Sequence, residues 1–346
     1  MDKVLRERDH SILQAIISSY IETGEPVGSR FLSKKYDLRL SPATIRNIMS
    51  DLEEMGYLNQ PHISAGRVPT DKAYRFYVDC LVKGPGPKEE GMSRLMGVSP
   101  SQEIQPGALM RETSRTLSKL SSYIGLVLAP PFLNTHLKHV EFIKLRENQV
   151  MVVLVSQEGL IQNKVIRTEK EHSQGELDRI GSVLNEKYSK QPLSEVREKI
   201  LEEMTEEKNL YDSLLERAMK LAEEALHPER QEGDIFMDGT ANVLSLPEFA
   251  DVEKMKALFK AFEEKSRLID LLDRCLDAEG VKIFIGAENP YSDMHDLSLI
   301  TAPYKKDGRV FGVIGVLGPT RMTYGRVIPI VDHTARHLSR LLSDNF

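Results

Sequence analysis

Leu40-Ser41-Pro42-Ala43-Thr44-Ile45-Arg46-Asn47 is the stretch on which the reading of this chain turns. Ser41 is placed to accept from a free backbone N–H at a helix N-cap, and Pro42 suits the first helical position, where its missing N–H costs nothing. Ile45, Ile48, Met49, Leu52 and Met55 recur at helical spacing, so one face is apolar and packs inward. Ala43, Thr44, Arg46, Asn47 and Ser50 fall on the other faces, with no acidic residue before Asp51. The start of such a helix also offers positive dipole to a phosphate. Short hydrogen-bonding groups followed by an arginine and an asparagine suit a DNA-reading helix, with Asp51, Glu53 and Glu54 expected to point away from DNA. Alone, a capped amphipathic helix is more often plain structure.

The neighbouring segments strengthen the DNA reading. Upstream, Leu5, Ile12, Leu13, Ile16, Ile17, Tyr20 and Ile21 form an apolar stripe on a helix ending at Thr23-Gly24, where glycine suits a C-terminal cap. Glu25-Pro26-Val27-Gly28-Ser29 turns the chain into a short helix over Arg30 to Tyr36, which makes three helices with tight turns, a helix-turn-helix arrangement. Downstream, Tyr57-Leu58-Asn59-Gln60 is extended, Ser64-Ala65-Gly66-Arg67 supplies a turn carrying a cation, and Val68-Pro69-Thr70 leads away again, as in a wing. Between Arg30 and Arg46 the cations are Arg30, Lys34, Lys35, Arg39 and Arg46 against Asp37 alone, a local excess of four in a chain of net charge −6. That contrast argues for one docking surface on an otherwise acidic protein, not a nonspecific nucleic-acid coat. A solvated lysine-rich face accounts equally well for Lys34 and Lys35 taken by themselves.

The runs Tyr20 to Arg30, Leu40 to Asn47 and Ser64 to Asp71 resemble those of the HrcA family, bacterial heat-inducible transcription repressors. Farther along, Asp238-Gly239-Thr240-Ala241-Asn242, Pro247-Glu248-Phe249, Ile285-Gly286-Ala287-Glu288-Asn289 and Gly318-Pro319-Thr320-Arg321-Met322 resemble the family's C-terminal signatures, so the similarity covers nearly the whole length. Two positions depart from the pattern: Ile48, where an acidic residue is common, and Ile63, where a small polar residue is usual. The resemblance implies control of heat-shock chaperone operons through an inverted repeat, with the chaperonin keeping the repressor active. It also implies a winged helix-turn-helix, a GAF-like domain and a dimerisation domain inserted within the latter.

A chain of 346 residues divides into two or three domains. Its two cysteines, Cys80 and Cys275, fit no metal or redox spacing and suggest buried thiols in a reducing cytosol. No apolar run approaches the ~20 residues needed to cross a bilayer, so a soluble cytoplasmic protein, on the nucleoid when bound to its operator, is expected.

Gly84-Pro85-Gly86-Pro87 and the aperiodic Met92 to Glu103 mark a linker. Beyond it Gly107 to Ser121 reads as a helix, Tyr123 to Ala129 as a buried strand, and Val140 to Leu145, Gln149 to Ser156 and Leu160 to Thr168 as a meander. From Gln174 to His227 the period is helical, with one stripe through Leu177, Ile180, Val183 and Leu184 and another through Leu210, Leu214, Ala218, Leu221 and Ala225. The surplus apolar surface suits either an internal core or a dimer interface, and the resemblance favours the dimer. Ile235 to Met237 reads as a strand, Val252 to Leu276 as a long helix, Val281 to Ile285, Leu297 to Ala302 and Val310 to Leu317 as strands before a final helix. The expected organisation is multidomain α+β: a winged helix-turn-helix domain over 1–83, a linker over 84–104, a GAF-like α/β sheet domain over 105–136 and 229–346, and an inserted dimerisation domain with a small antiparallel sheet and helices over 137–228.

Enzymatic readings find little support. The glycines of Gly312 to Pro319 lie in an apolar strand without G-x-G-x-x-G spacing, and Asp238-Gly239-Thr240 is most simply a turn. His333 with His337, or His136 with His139, lacks a third zinc ligand at a recognisable spacing. No catalytic constellation, metal site or cofactor is expected. A ligand-sensing regulator using the GAF-like cavity, and an enzyme bearing a DNA-binding domain, are the rival classes.

The expected interface with double-stranded DNA comprises Ser29, Arg30, Lys34, Lys35, Ser41, Ala43, Thr44, Arg46, Asn47, Ser64, Gly66 and Arg67. Arg46 fits a guanine edge or a phosphate and Asn47 an adenine edge, Ser41 and Thr44 fix register on the backbone, and Lys34 and Lys35 add counterion-release affinity. Arg67 would enter a minor groove or hold its phosphate edge. A homodimer would place two reading helices in successive major grooves of an inverted repeat.

Overall fold

A computed structural model describes residues 5–62, 65–83, 106–130, 135–168, 171–206, 221–223, 235–244, 246–251, 255–256, 259 and 265–345. The expected linker, the second apolar stripe from Leu210 to Ala225 apart from 221–223, and most of 252–264 lie outside them.

The N-terminal helices are α1 (Glu7–Thr23), α2 (Ser29–Lys35) and α3 (Pro42–Glu54). Gly24 ends α1 in the left-handed region at φ 71° and returns its N–H to Tyr20 O, a conformation that glycine adopts without a Cβ penalty. Ile45, Met49 and Leu52 of α3 are buried together with Ile12, Leu13, Ile16 and Ile17 of α1, as the apolar stripes require. A two-stranded antiparallel ribbon follows, β1 (Leu58–Asn59) with β2 (Val68–Pro69), and then α4 (Asp71–Lys83).

The second body is a five-stranded antiparallel sheet ordered β7-β3-β10-β9-β8, from β3 (Ile124–Leu128), β7 (Ile235–Asp238), β8 (Lys282–Ile285), β9 (Leu297–Lys306) and β10 (Arg309–Pro319). Its central strands are buried on both faces because helices cover both. On one face, α5 (Pro106–Ser121) meets Gly125, and Tyr324 of α10 (Tyr324–Asn345) hydrogen-bonds Ser298 at 2.7 Å. On the other lies α9 (Lys265–Asp273), followed by the buried Cys275, whose thiol is pushed up by burial. A Cβ on Gly125 would sit 2.1 Å from Ser114 O, so only glycine allows α5 to approach this closely. The short α8 (Thr240–Leu244) follows the Gly239 turn.

Helix α9 stops at Asp273, whereas the periodicity runs on to Leu276. There the chain tightens, with Cys275 N–H to Leu272 O and Leu276 N–H to Asp273 O, which keeps the apolar side chains inward without a further α-turn. Cys80, expected to be buried, is only half-buried on α4.

Between β3 and β7 in sequence lies a module with its own core. β4 (Leu137–Arg146), β5 (Gln149–Ser156) and β6 (Ile161–Arg167) form the expected meander, and α6 (Gln174–Tyr188) and α7 (Leu193–Glu206) pack on one face. Helix α7 lies between the two apolar stripes of the helical-period run Gln174 to His227. Residues 221–223 are helical, with Leu221 and Ala222 in the same core. Helix α6 also shields the outer edge of β4: Asn185 exchanges hydrogen bonds with Val140 N–H and O, and Gln174 with Lys144 N–H and Phe142 O. By contrast, a single apolar core runs without interruption from α1–α4 into the five-stranded body.

Candidate nucleic-acid interface

Helix α3 starts as its sequence dictates. Ser41 Oγ accepts from Thr44 N–H at 3.1 Å and lies 2.9 Å from Thr44 Oγ1, with Pro42 in the first turn. The cap and the buried stripe together orient the rest: Ala43, Thr44, Arg46, Asn47 and Ser50 are all exposed. Arg30 and Lys34 on α2 are exposed as well. The structure thus brings Arg30, Lys34, Ser41, Ala43, Thr44, Arg46 and Asn47 to the accessible surface of two adjoining helices.

Four other candidates stand in different settings. Ser29 is buried at the first residue of α2. Lys35 is hydrogen-bonded to Glu22 of α1, which raises its pKa, and its Nζ lies 5.5 Å from the ring centroids of both Phe31 and Tyr36. Arg67 pairs with Glu53 of α3 at 2.8 Å and is mostly covered, while its backbone exchanges two 2.9 Å hydrogen bonds with Val27. Gly66 packs on the same segment, since a Cβ there would lie 2.5 Å from the Val27 carbonyl. Gly66 and Arg67 therefore join the ribbon to the α1–α2 turn and to α3. Ser64 and Ile63 lie outside the described residues.

Arg39 belongs to the basic run between Arg30 and Arg46 but not to the expected interface. It sits in the α2–α3 loop at φ 51°, its side chain is 88% exposed, and its nearest acidic partner is Asp37 at 3.9 Å. Its signal was present, since it stands one residue before the Leu40-Ser41-Pro42 start of the reading helix.

The enzymatic candidates gather no site. Gly312 to Pro319 is continuous strand in β10, and the space beside Gly312 is filled by Leu128 O and the Tyr304 hydroxyl. His136 is engaged by Glu158 at 2.8 Å, and no group of three metal-ligating side chains occurs among the described residues. Gly239, at φ 87°, forms the turn between β7 and α8. Among the described residues no helix is long and apolar enough to cross a membrane.

Residues 107–328 match the family model described as HrcA protein C terminal domain. Over 340 residues the chain is 52% identical to the heat-inducible transcription repressor HrcA of Geobacter sulfurreducens, covering 98% of both chains. It is 43% identical to that of Syntrophobacter fumaroxidans over 341 residues, again covering 98% of each. A crystal structure of a hypothetical protein superposes with a TM-score of 0.67 at 22% identity, covering 99% of this chain and 100% of that one, and shares the mixed α+β fold. These findings place the chain among transcription repressors, proteins that act on DNA. It belongs to the HrcA family of heat-inducible transcription repressors.

Proposed function

We propose that this chain represses heat-shock chaperone operons by occupying an inverted-repeat operator as a homodimer. In this reading α1–α3 and the ribbon form a winged helix-turn-helix unit within 1–83, joined by a linker at 84–104 to a GAF-like domain (105–136 and 229–346). Residues 137–228 form the inserted dimerisation domain. The observation that carries the reading is the exposed start of α3, where Ala43, Thr44, Arg46 and Asn47 follow a first turn without acidic residues, on the helix that adjoins Arg30 and Lys34 of α2. With α3 in a major groove, Arg46 fits a guanine edge or a phosphate and Asn47 an adenine edge. Ser41 and Thr44 fix register on the backbone, while Arg30, Lys34 and Arg39 release counterions. Arg67, tied to Glu53, holds the wing against the reading helix, and Ser64 is left as the wing's own contact.

The module supports the dimer. On the sheet face turned away from α6 and α7, Leu145, Ile161 and Val165 are exposed at 45%, 66% and 53%, with Ile143, Met151, Val153 and Val155 half-buried between them. This face, apolar along β5 and flanked at Val153 by the exposed Glu141 and Asn163, is what a second copy would cover. The protein would work in the cytoplasm, on the nucleoid when bound, and the chaperonin would keep it active until heat diverts the chaperonin to unfolded clients.

Footprinting on the organism's chaperone promoters, with and without chaperonin, tests the reading. Base readout by Asn47 predicts that Asn47→Ala loses ~1–3 kcal/mol of discrimination between operator and random DNA. An equal loss on both would remove that assignment. Full operator binding by the purified chain after heating and cooling without chaperonin would remove the chaperonin from the mechanism.

A further inference from the structure

The DNA-facing helices are fastened to the five-stranded body at two separated points. The first is the C-terminal end of α1, which has no basic residue in its last turn. Its cation comes from the body: Arg321, in the turn between β10 and α10, donates to Ile21 O at 2.7 Å and is held from behind by Glu248. A Cβ on Gly24 would lie 3.3 Å from the Arg321 guanidinium carbon, so the αL glycine that ends the helix also makes room for the arginine. A cation against the last carbonyls is favoured by the helix dipole.

The second point is α4. Arg75 donates from Nε to Glu288 at 2.8 Å, from Nη2 to Ile283 O at 2.7 Å, and again from Nη2 to the second Glu288 oxygen. One turn earlier, Asp71 accepts from Ala287 N–H at 2.9 Å. Gly286 permits this, since a Cβ there would sit 2.2 Å from the Asp71 carboxylate. Between the two points the Tyr74 and Tyr324 rings lie 5.9 Å apart in the shared core.

One attachment leaves a rigid unit free to swing about it, whereas two attachments with packing between them do not. We infer that Arg321 and Arg75 are positioning residues that set the angle of the reading helix on the body, and thereby the operator spacing that the dimer accepts. This rests on the proposed dimeric operator binding. If the partner module fixes one body against the other, a stiff seam passes that geometry to both copies of α3. Each base pair added between half-sites rotates the second by roughly 34–36° and moves it ~3.4 Å, so a rigid pair of heads accepts few spacers. Neither arginine touches DNA in this arrangement.

The test uses the full chain and has two arms. Without DNA, energy transfer between dyes at Ser50→Cys and Glu279→Cys, in a Cys80→Ser background, reports the head-to-body distance. The distribution should be narrow in the otherwise unaltered chain and broaden with Arg75→Ala/Arg321→Ala. With DNA, affinities are measured on duplexes whose half-sites are moved by one or two base pairs in either direction, and on a single half-site. The unaltered chain should lose about tenfold per base pair of displacement, and the double variant less than about threefold, with half-site binding within about twofold of the unaltered chain. Arg321→Lys, which keeps the charge but not the planar fork, should fall between the two.

An unbroadened distribution, an unchanged spacer profile, or tighter binding of the double variant to every duplex overturns the inference. So does a parallel loss on the single half-site, which would mean that the arginines merely keep the head folded. Failure of the unaltered chain to prefer inverted repeats overturns the functional reading instead, and the energy-transfer arm still judges the seam.

Discussion

Lys34 and Lys35 are adjacent, both basic and indistinguishable by sequence as phosphate ligands, yet the structure separates them. Lys34 is exposed on α2, whereas the Lys35 ammonium is held by Glu22. A lysine already neutralised by a carboxylate displaces few counterions when DNA arrives, so the two should differ in salt dependence rather than in net charge. Loss of one phosphate contact lowers the slope of log K against log salt by about 0.9. Over a fourfold rise in salt, from 50 to 200 mM, that is a difference of roughly 3.5-fold in how far affinity falls. Lys34→Ala should therefore weaken operator binding at low salt and show the shallower slope. Lys35→Ala should keep the parental slope, and Glu22→Gln, which releases Lys35, should steepen it. Fluorescence anisotropy on an operator duplex at four salt concentrations measures all three. If Lys35→Ala flattened the slope as much as Lys34→Ala, the Glu22 pair would be no obstacle to phosphate contact and the reasoning would be wrong.

Three further outcomes follow from the same geometry. Ser41→Ala removes the side-chain cap on Thr44 N–H and should cost ~1 kcal/mol in urea unfolding, with Ser41→Gly costing only a few tenths; equal stability of all three chains would mean that the cap contributes nothing. Ile161→Lys/Val165→Lys places two charges on the outer face of β6 and should shift sedimentation to the monomer while far-UV circular dichroism stays constant, so a persistent dimer would move the interface elsewhere. His337 on α10 has its pKa lowered by burial and by the nearby His333 and Arg340, so the unfolded chain binds its proton first. That contribution to stability is complete above the ordinary histidine pKa and is lost as pH falls from there through the lowered value; His337→Gln should flatten that part of the urea-midpoint profile, and an unaltered profile would assign it to other groups.

Much of the fold was legible because it rests on local rules. The Ser41-Pro42 start, the Gly24 stop, the apolar stripe through Ile45, Met49 and Leu52 and the alternating burial of β5 each follow from interactions within a few residues. Burial on both faces of β3 and β10 was readable as continuous apolar runs. Less legible were α7, whose stripe merged with that of its neighbours, and the end of α9, where a tight turn imitates helical spacing. Of the candidate interface, the face of α3 was fixed by its own period. Ser29, Lys35, Gly66 and Arg67 fit the interface by residue type, and type does not tell whether a partner stands nearby.

By itself, then, the sequence determined which residues of α3 face outward, because cap and periodicity act within one helix. It also determined that basic charge gathers around that helix. Only the tertiary structure decided which cations are committed to protein carboxylates, since Glu22 lies 13 residues from Lys35 and Glu53 is brought to Arg67 across the ribbon. Tertiary structure alone likewise joined α1 to Arg321, 300 residues after Ile21, and α4 to Glu288, 213 residues after Arg75. The physical reason is reach: capping and periodic burial are decided within one or two turns, whereas the pairing of charges depends on which surfaces the closed core brings together.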